Sequence, residues 1–198
     1  ITTLTLDAGV TIEFGSTYGL IVGHESNPVY PGAISAVGTE LEPITFTADH
    51  ASPSPGSWDG LRFANYSDDT QCRLEHCVVE YGGYSANENI YCSAASPVLN
   101  NTVSRFCLGS GVYCYNGSQP VIEECDIHDN TTYGLYCNDG SPTCIDSTIQ
   151  ANTNAGVYIY GTTSNPQITS NQILNNGNNG VNIAISANAT ISGNTINN

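Results

Sequence analysis

GVYCYNGSQPVIEECDIHDNTTY (111–133), GLYCNDGSPTCIDSTIQANTNA (134–155), GVYIYGTTSNPQITSNQILNNGNN (156–179) and GVNIAISANATISGNTINN (180–198) repeat one pattern four times. The opening glycines, Gly111, Gly134, Gly156 and Gly180, are 23, 22 and 24 residues apart. Later in each copy two apolar residues stand five apart: Ile122/Ile127, Cys144/Ile149, Ile168/Ile173 and Ile191/Ile196. A fixed period in the low twenties is the mark of a solenoid. Leucine-rich repeats would need a leucine-and-asparagine consensus, and α-solenoids need longer repeats with apolar spacings of three and four. Here Val157, Tyr158 and Ile159 alternate inward and outward, which is the two-residue period of strands. Asn, Gly, Ser and Pro mark the corners. Each copy is therefore one rung, of about 22–24 residues, in an all-β parallel solenoid with rungs roughly 4.8 Å apart.

The 198 residues form one domain, 1–198, because a solenoid grows by length and not by enlarging a spherical core. There is no lysine and no methionine, and Arg62, Arg73 and Arg105 face 18 acids for a net charge of −15. That balance excludes nucleic acid, whose phosphates need a basic surface. No apolar run is long enough to span a bilayer. The chain begins at Ile1 without a signal peptide, as a processed secreted protein or a cut segment would. Eight cysteines and five N-x-S/T sequons (Asn65, Asn100, Asn116, Asn130, Asn188) lean towards a secreted, cell-surface setting with disulfides and glycans.

Residues 1–57 read as irregular early rungs and 58–198 as regular ones. LTLDAGVTIEFG (4–15), YGLIVG (18–23), GAISAVG (32–38) and EPITFTADH (42–50) alternate as strands, HESNPVYPG (24–32) loops out, and ASPSPGS (51–57) leads to SWDGLRF (57–63). The rungs before residue 111 place Leu61/Phe63 and Ile90/Cys92 in the first run, with Leu74/Val79 and Val98/Val103 in the second. Leu4, Gly9, Val10, Ile12 and Phe14, then Pro43, Ile44, Phe46 and Thr47, then Trp58, Gly60, Leu61 and Phe63 form a pattern that resembles right-handed parallel β-helix repeat proteins, the pectate-lyase-like superfamily. The resemblance covers essentially the whole chain and implies the right-handed sense of the helix. It implies no single function, since that fold hosts lyases, hydrolases, epimerases, binding modules and surface proteins.

Equivalent positions of a solenoid stack into columns. One outward column reads Arg62, Tyr91, Tyr113, Tyr136, Tyr158, Asn182, and the next outward position reads Tyr115, Asn138, Tyr160. The tyrosines make an aromatic strip, either a stacking device for parallel strands or a contact face for sugar rings or another copy of the protein. Cys92, Cys114 and Cys137 share an inward column, continued by Ile159 and Ile183, and Cys144 takes the place of Ile122 and Ile168. Cys77 and Cys125 share a corner column with Asn101, Asn171 and Asn194, while Cys72 and Cys107 fit no column. All eight are candidates either for apolar filling or for disulfides, within a rung (Cys137 with Cys144) or between rungs. Zinc is disfavoured, with no C-x-x-C and with His24, His50, His76 and His128 scattered. Asn130, Asn152 and Asn176 form a second corner ladder.

Acids gather at Glu123, Glu124, Asp126, Asp129 and Asp146, with Glu124 above Asp146 and Arg105 above Asp129. Glu124 and Asp146 are the pair that Ca²⁺ would use; no other cofactor is called for. The resemblance to lyases implies a basic side chain beside Ca²⁺, and Arg105 is the base near acids. Of the polygalacturonase-type segments only Asp68-Asp69 matches, and the epimerase D-P-H-E element is absent. In DIHD (126–129), alternation turns Asp126 and His128 outward, so Asp126, His128 and Arg105 are the catalytic candidates, with enzymatic activity left open.

No capping helix is visible at either end, and bare terminal rungs expose strand edges. The expectation is a structural protein that associates with itself head-to-tail into a filament, sheath or surface layer. The alternative is a carbohydrate-binding or polysaccharide-processing module that uses the tyrosine strip.

Overall fold

A computed structural model describes residues 1–85 and 87–197. Among them lie 23 strands and no helix, so none is long and apolar enough to cross a membrane. The strands stack into three all-parallel sheets of eight, eight and seven strands. The chain visits the three faces in turn on every rung, which makes a parallel β-helix.

The first rung supplies Thr2–Leu6, Thr11–Phe14 and Gly19–Val22, one strand to each face. The second supplies Gly32–Val37, Ile44–Ala48 and Gly60–Phe63. This rung crosses residue 57, so the expected division between early and regular rungs falls inside one structural unit. The 24–31 segment holds no strand, in keeping with the expected loop. Trp58 is fully buried, stacks on Phe14 with ring centroids 4.4 Å apart, and donates its indole N–H to the Glu80 carbonyl at 2.7 Å. It thereby ties three rungs together.

The interior is a set of apolar columns. Leu74, Leu99, Ile122, Cys144, Ile168 and Ile191 pair in register on the first face. Val79, Ser104, Ile127, Ile149, Ile173 and Ile196 do so on the second. The expected inward pair Val98/Val103 is one residue out: Leu99 and Ser104 are buried, and Val98 and Val103 are only half-buried. A slip of one residue turns every side chain of a strand to the other side. The same slip displaces Asn101: Thr102 stands in the column with Cys77, Cys125, Ser147, Asn171 and Asn194, and Asn101 occupies the left-handed corner (φ 47°) shared with His76, Glu124, Asp146 and Ser170.

Ser104 is inward for a reason two strands away. The opening-glycine column is tight: a Cβ at Gly111 would sit 2.6 Å from Ile127 Cγ2 and 2.8 Å from Asn130 Nδ2. In the rung before, Asn89 stands in that column, fully buried, and Ser104 replaces the isoleucine. The Asn89 amide donates to the Val79 and Arg105 carbonyls (3.1 and 2.8 Å) and to Ser104 Oγ (3.2 Å). A large–small pair is thus exchanged for a polar pair of similar combined volume.

Both corner ladders form. Asn130 Nδ2 donates to Asn152 Oδ1 at 2.9 Å, and Asn152 Nδ2 to Asn176 Oδ1 at 3.0 Å. Each amide also donates to a strand carbonyl: Asn130 to Ser104, Asn152 to Ile127, Asn176 to Ile149. In the other ladder Asn171 Nδ2 donates to Asn194 Oδ1 at 3.0 Å. Corner backbone that would otherwise be buried without partners is satisfied along the stack.

Candidate functional site

The third face carries the residues of interest because its strands alternate. Val112, Leu135 and Val157 point in, as do Cys114, Cys137 and Ile159, which leaves the intervening positions facing out. Ile21, Arg62, Tyr91, Tyr113, Tyr136, Tyr158 and Asn182 are paired in register along that outward line. The rings touch in succession: Tyr91–Tyr113 at 5.1 Å, Tyr113–Tyr136 stacked at 4.6 Å and 14°, Tyr136–Tyr158 at 5.2 Å. Tyr115 lies against Tyr91 and Tyr113 at 6.4 and 6.0 Å, and Tyr160 against Tyr158 at 6.3 Å. All six expected tyrosines therefore belong to one ladder.

A seventh ring was not expected there. Tyr133 stacks on Tyr158 at 4.7 Å and leans on Tyr136 at 5.4 Å. It precedes an opening glycine, outside the run in which outward positions can be counted by alternation. The ladder also has a cationic end: the Arg62 guanidinium lies 4.5 Å from the Tyr91 ring centroid and 2.7 Å from Glu25. Packing of the rings pushes the Tyr136 phenol up to about 12, through burial and the neighbouring Tyr158, and burial raises Tyr113 further. The Asn138 amide donates to Tyr113 Oη at 2.9 Å.

Two clefts flank the ladder. One, of about 420 Å³, is lined by Tyr18, Glu25, Asp59, Arg62, Ser85 and Tyr91. The other, of about 370 Å³, is lined by Asn87, Glu88, Ser110, Thr132, Tyr133 and Tyr136. Glu88 is 8% exposed, and burial pushes its carboxyl up to about 8 against a weaker opposing pull from Arg62. It was missed because a lone acid at the start of a strand carries no pattern in the sequence.

The expected catalytic trio meets on the second face. His128 Nδ1 lies 2.7 Å from Asp129 and Nε2 3.9 Å from Asp126. Arg105 pairs in register with His128, one rung away, and not with Asp129 as expected; its guanidinium is held by Glu80 at 2.7 Å. Arg105 is thereby occupied as half of an ion pair. Glu124 and Asp146 do share a corner column, but Asn101 Nδ2 donates to Glu124 at 2.9 Å. Among the described residues no group of three or more His, Cys, Asp or Glu side chains is placed to hold a metal ion. Asp68, of the Asp68-Asp69 match, accepts from Thr70 and Gln71 within its own turn, and these bonds lower its carboxyl.

All eight cysteines, Cys72, Cys77, Cys92, Cys107, Cys114, Cys125, Cys137 and Cys144, are buried and unbridged. Cys137 and Cys144, the suggested pair within a rung, are both free, on strands of different sheets, Leu135–Asn138 and Thr143–Ile145. Of the sequon asparagines, Asn65, Asn116 and Asn188 are exposed and Asn100 is half-buried. Asn130 is 1% exposed with its amide bonded inside the ladder, so it cannot carry a glycan in the folded protein.

Neither a curated protein nor a solved structure matches the chain at a significant level. A family model described as the right handed beta helix region matches residues 45–196, which takes in most of the rungs and the whole tyrosine ladder. With its three all-parallel faces, the chain belongs to the right-handed β-helix family.

Proposed function

We propose that the third face is a polysaccharide-binding surface, with the tyrosine ladder as its platform. The observation that carries this reading is the ladder itself: seven rings in unbroken contact, half-exposed, on one outward face of a stiff scaffold. Tyr115, at 39% exposed, is the most open of them. Because the rings stack on one another, they offer a sugar chain one contiguous strip of ring edges and phenol oxygens, which its C–H groups and hydroxyls can both contact. The strands beneath keep the rings in line, so little ordering is needed on binding. The two clefts beside the ladder offer polar side chains to hydroxyl groups.

The test is isothermal titration with a panel of soluble oligosaccharides, comparing the protein with Tyr113→Ala and Tyr136→Ala. Both side chains point away from the core, so the variants should fold. Each loss should weaken binding on the order of tenfold, about 1.4 kcal/mol for a stacked ring. Binding that ignores both substitutions would remove the ladder from the site.

A second reading, self-association, is favoured by a separate observation. Ile183 and Ile196 continue inward columns yet are 49% and 47% exposed, because no rung covers them in this structure. A second copy stacked there would bury them, as would further rungs of a longer chain. Sedimentation equilibrium over a hundredfold concentration range separates the two, because a copy that stacks gives a mass that rises with concentration. A constant monomer mass would reject assembly by this chain.

A further inference from the structure

The cleft at Glu88 has a property the rest of the face lacks. Glu88 is 8% exposed as a residue and lines this cleft; among the described residues no hydrogen bond to its carboxyl is found, and its oxygens keep some contact with solvent. A carboxyl so nearly enclosed is ordinarily paired, because it gives up much of its water without a replacement. Arg62 is within electrostatic reach but is already bound to Glu25 at 2.7 Å. The remaining groups around Glu88 are neutral: the Ser110 and Thr132 hydroxyls, which bond each other at 3.1 Å, and the Tyr133 and Tyr136 rings. The cleft therefore joins an unpartnered acid to aromatic surface in about 370 Å³, at the low end of the range for small-molecule pockets.

We propose that this cleft is a subsite for a primary ammonium group carried on a sugar ring, a hexosamine unit of the polysaccharide on the ladder. The inference rests on the ladder reading and adds the chemical class of its ligand. An ammonium donates to the carboxylate in a charge-assisted bond and is attracted by the faces of nearby tyrosine rings. Its arrival lets Glu88 ionise where burial alone holds it protonated, and the proton leaves to solvent. The whole molecule points the same way. The chain has no lysine, and its three guanidinium groups are committed to Glu25, Glu75 and Glu80 at 2.7, 2.9 and 2.7 Å. With a net charge of −15 and, among the described residues, no guanidinium left unpaired, the surface is poorly suited to a uronate or a sulfate. The same charge draws a cationic chain towards the surface.

The experiment titrates three probes: a glucosamine oligomer, its fully N-acetylated counterpart, and butylammonium. The proteins are the unmodified chain, Glu88→Gln, and Asp146→Asn as a control that removes one negative charge elsewhere. Thermal melts establish that each variant is folded. The expected result is a preference for the amino oligomer over the acetylated one on the order of tenfold, the worth of a charge-assisted contact. That preference should collapse to within about twofold in Glu88→Gln and persist in Asp146→Asn. Equal binding of the two oligomers, or a preference that survives Glu88→Gln, overturns the subsite and leaves the ladder standing. Failure of both oligomers overturns the subsite as stated. With it, Glu88-dependent binding of butylammonium would show an ammonium site without a sugar, and silence from all three probes would show no such site.

Discussion

Glu88 couples the proposed site to the stability of the fold. Its acid form persists to about pH 8 in the folded chain, against 4.5 when free in solution. Between those values the unfolded chain has released a proton that the folded chain still holds, so rising pH favours unfolding. The group's favourable share is complete below pH 4.5 and is lost as pH climbs through 8. At about 1.4 kcal/mol per unit, the swing is at most on the order of 5 kcal/mol. Glu88→Gln has no proton to lose. The melting temperature of the variant should therefore gain on that of the parent from pH 5 to pH 8.5, and a gap that stays flat would show that Glu88 is solvated. Asp68 and Asp139 do not blur this comparison. Hydrogen bonds lower both carboxyls below 3.8, so their support is lost only in acid, under the window of Glu88.

At the scale of the element, the asparagine ladder does for the corners what strand pairing does for the faces. Asn152 shows the connectivity: its Oδ1 accepts from the Asn130 amide and backbone N–H, and its Nδ2 reaches the Ile127 carbonyl and Asn176. Asn152→Ala leaves several buried partners unsatisfied at once and should cost on the order of 3 kcal/mol in urea unfolding. The exposed Asn178→Ala, which loses one contact to Asn154 at 3.2 Å, should cost less than about 0.5 kcal/mol. Equal losses would mean that the ladder adds nothing beyond composition. This ladder was legible in the sequence because Asn130, Asn152 and Asn176 recur at the rung period. The rung at 98–105 was not legible in the same way. There Val98 and Val103 copy the apolar five-residue spacing, while the true inward pair is Leu99 and a serine. Ser104 faces in because Asn89 fills the space an isoleucine would need, and that exchange lies between strands far apart in sequence. Tyr133 escaped because it precedes its strand, where alternation gives no direction, and Glu88 because it opens one in which Glu88, Asn89 and Ile90 are all buried in succession, so alternation fails.

Across the whole molecule, stacking lets the sequence be read as columns, which is why the inward cysteines and six of the seven ladder tyrosines could be aligned from the sequence. The run holding each five-residue pair, by contrast, divides into two strands on two faces, as in Val121–Glu123 and Asp126–His128. Charge behaves differently. The net charge of −15 is a property of composition, yet that all three arginines are held in ion pairs emerges only from side-chain placement. The cysteines also change meaning at this scale. None exceeds 4% exposure, and burial raises most of the thiols, Cys77 and Cys125 to about 12. Only a thiolate that solvent can reach reacts readily. Oxidants and electrophiles thus find no accessible thiol while the rungs stay closed. Once a rung opens, several neighbouring sulfurs become available together, so chemical damage in this protein follows mechanical failure and seals it.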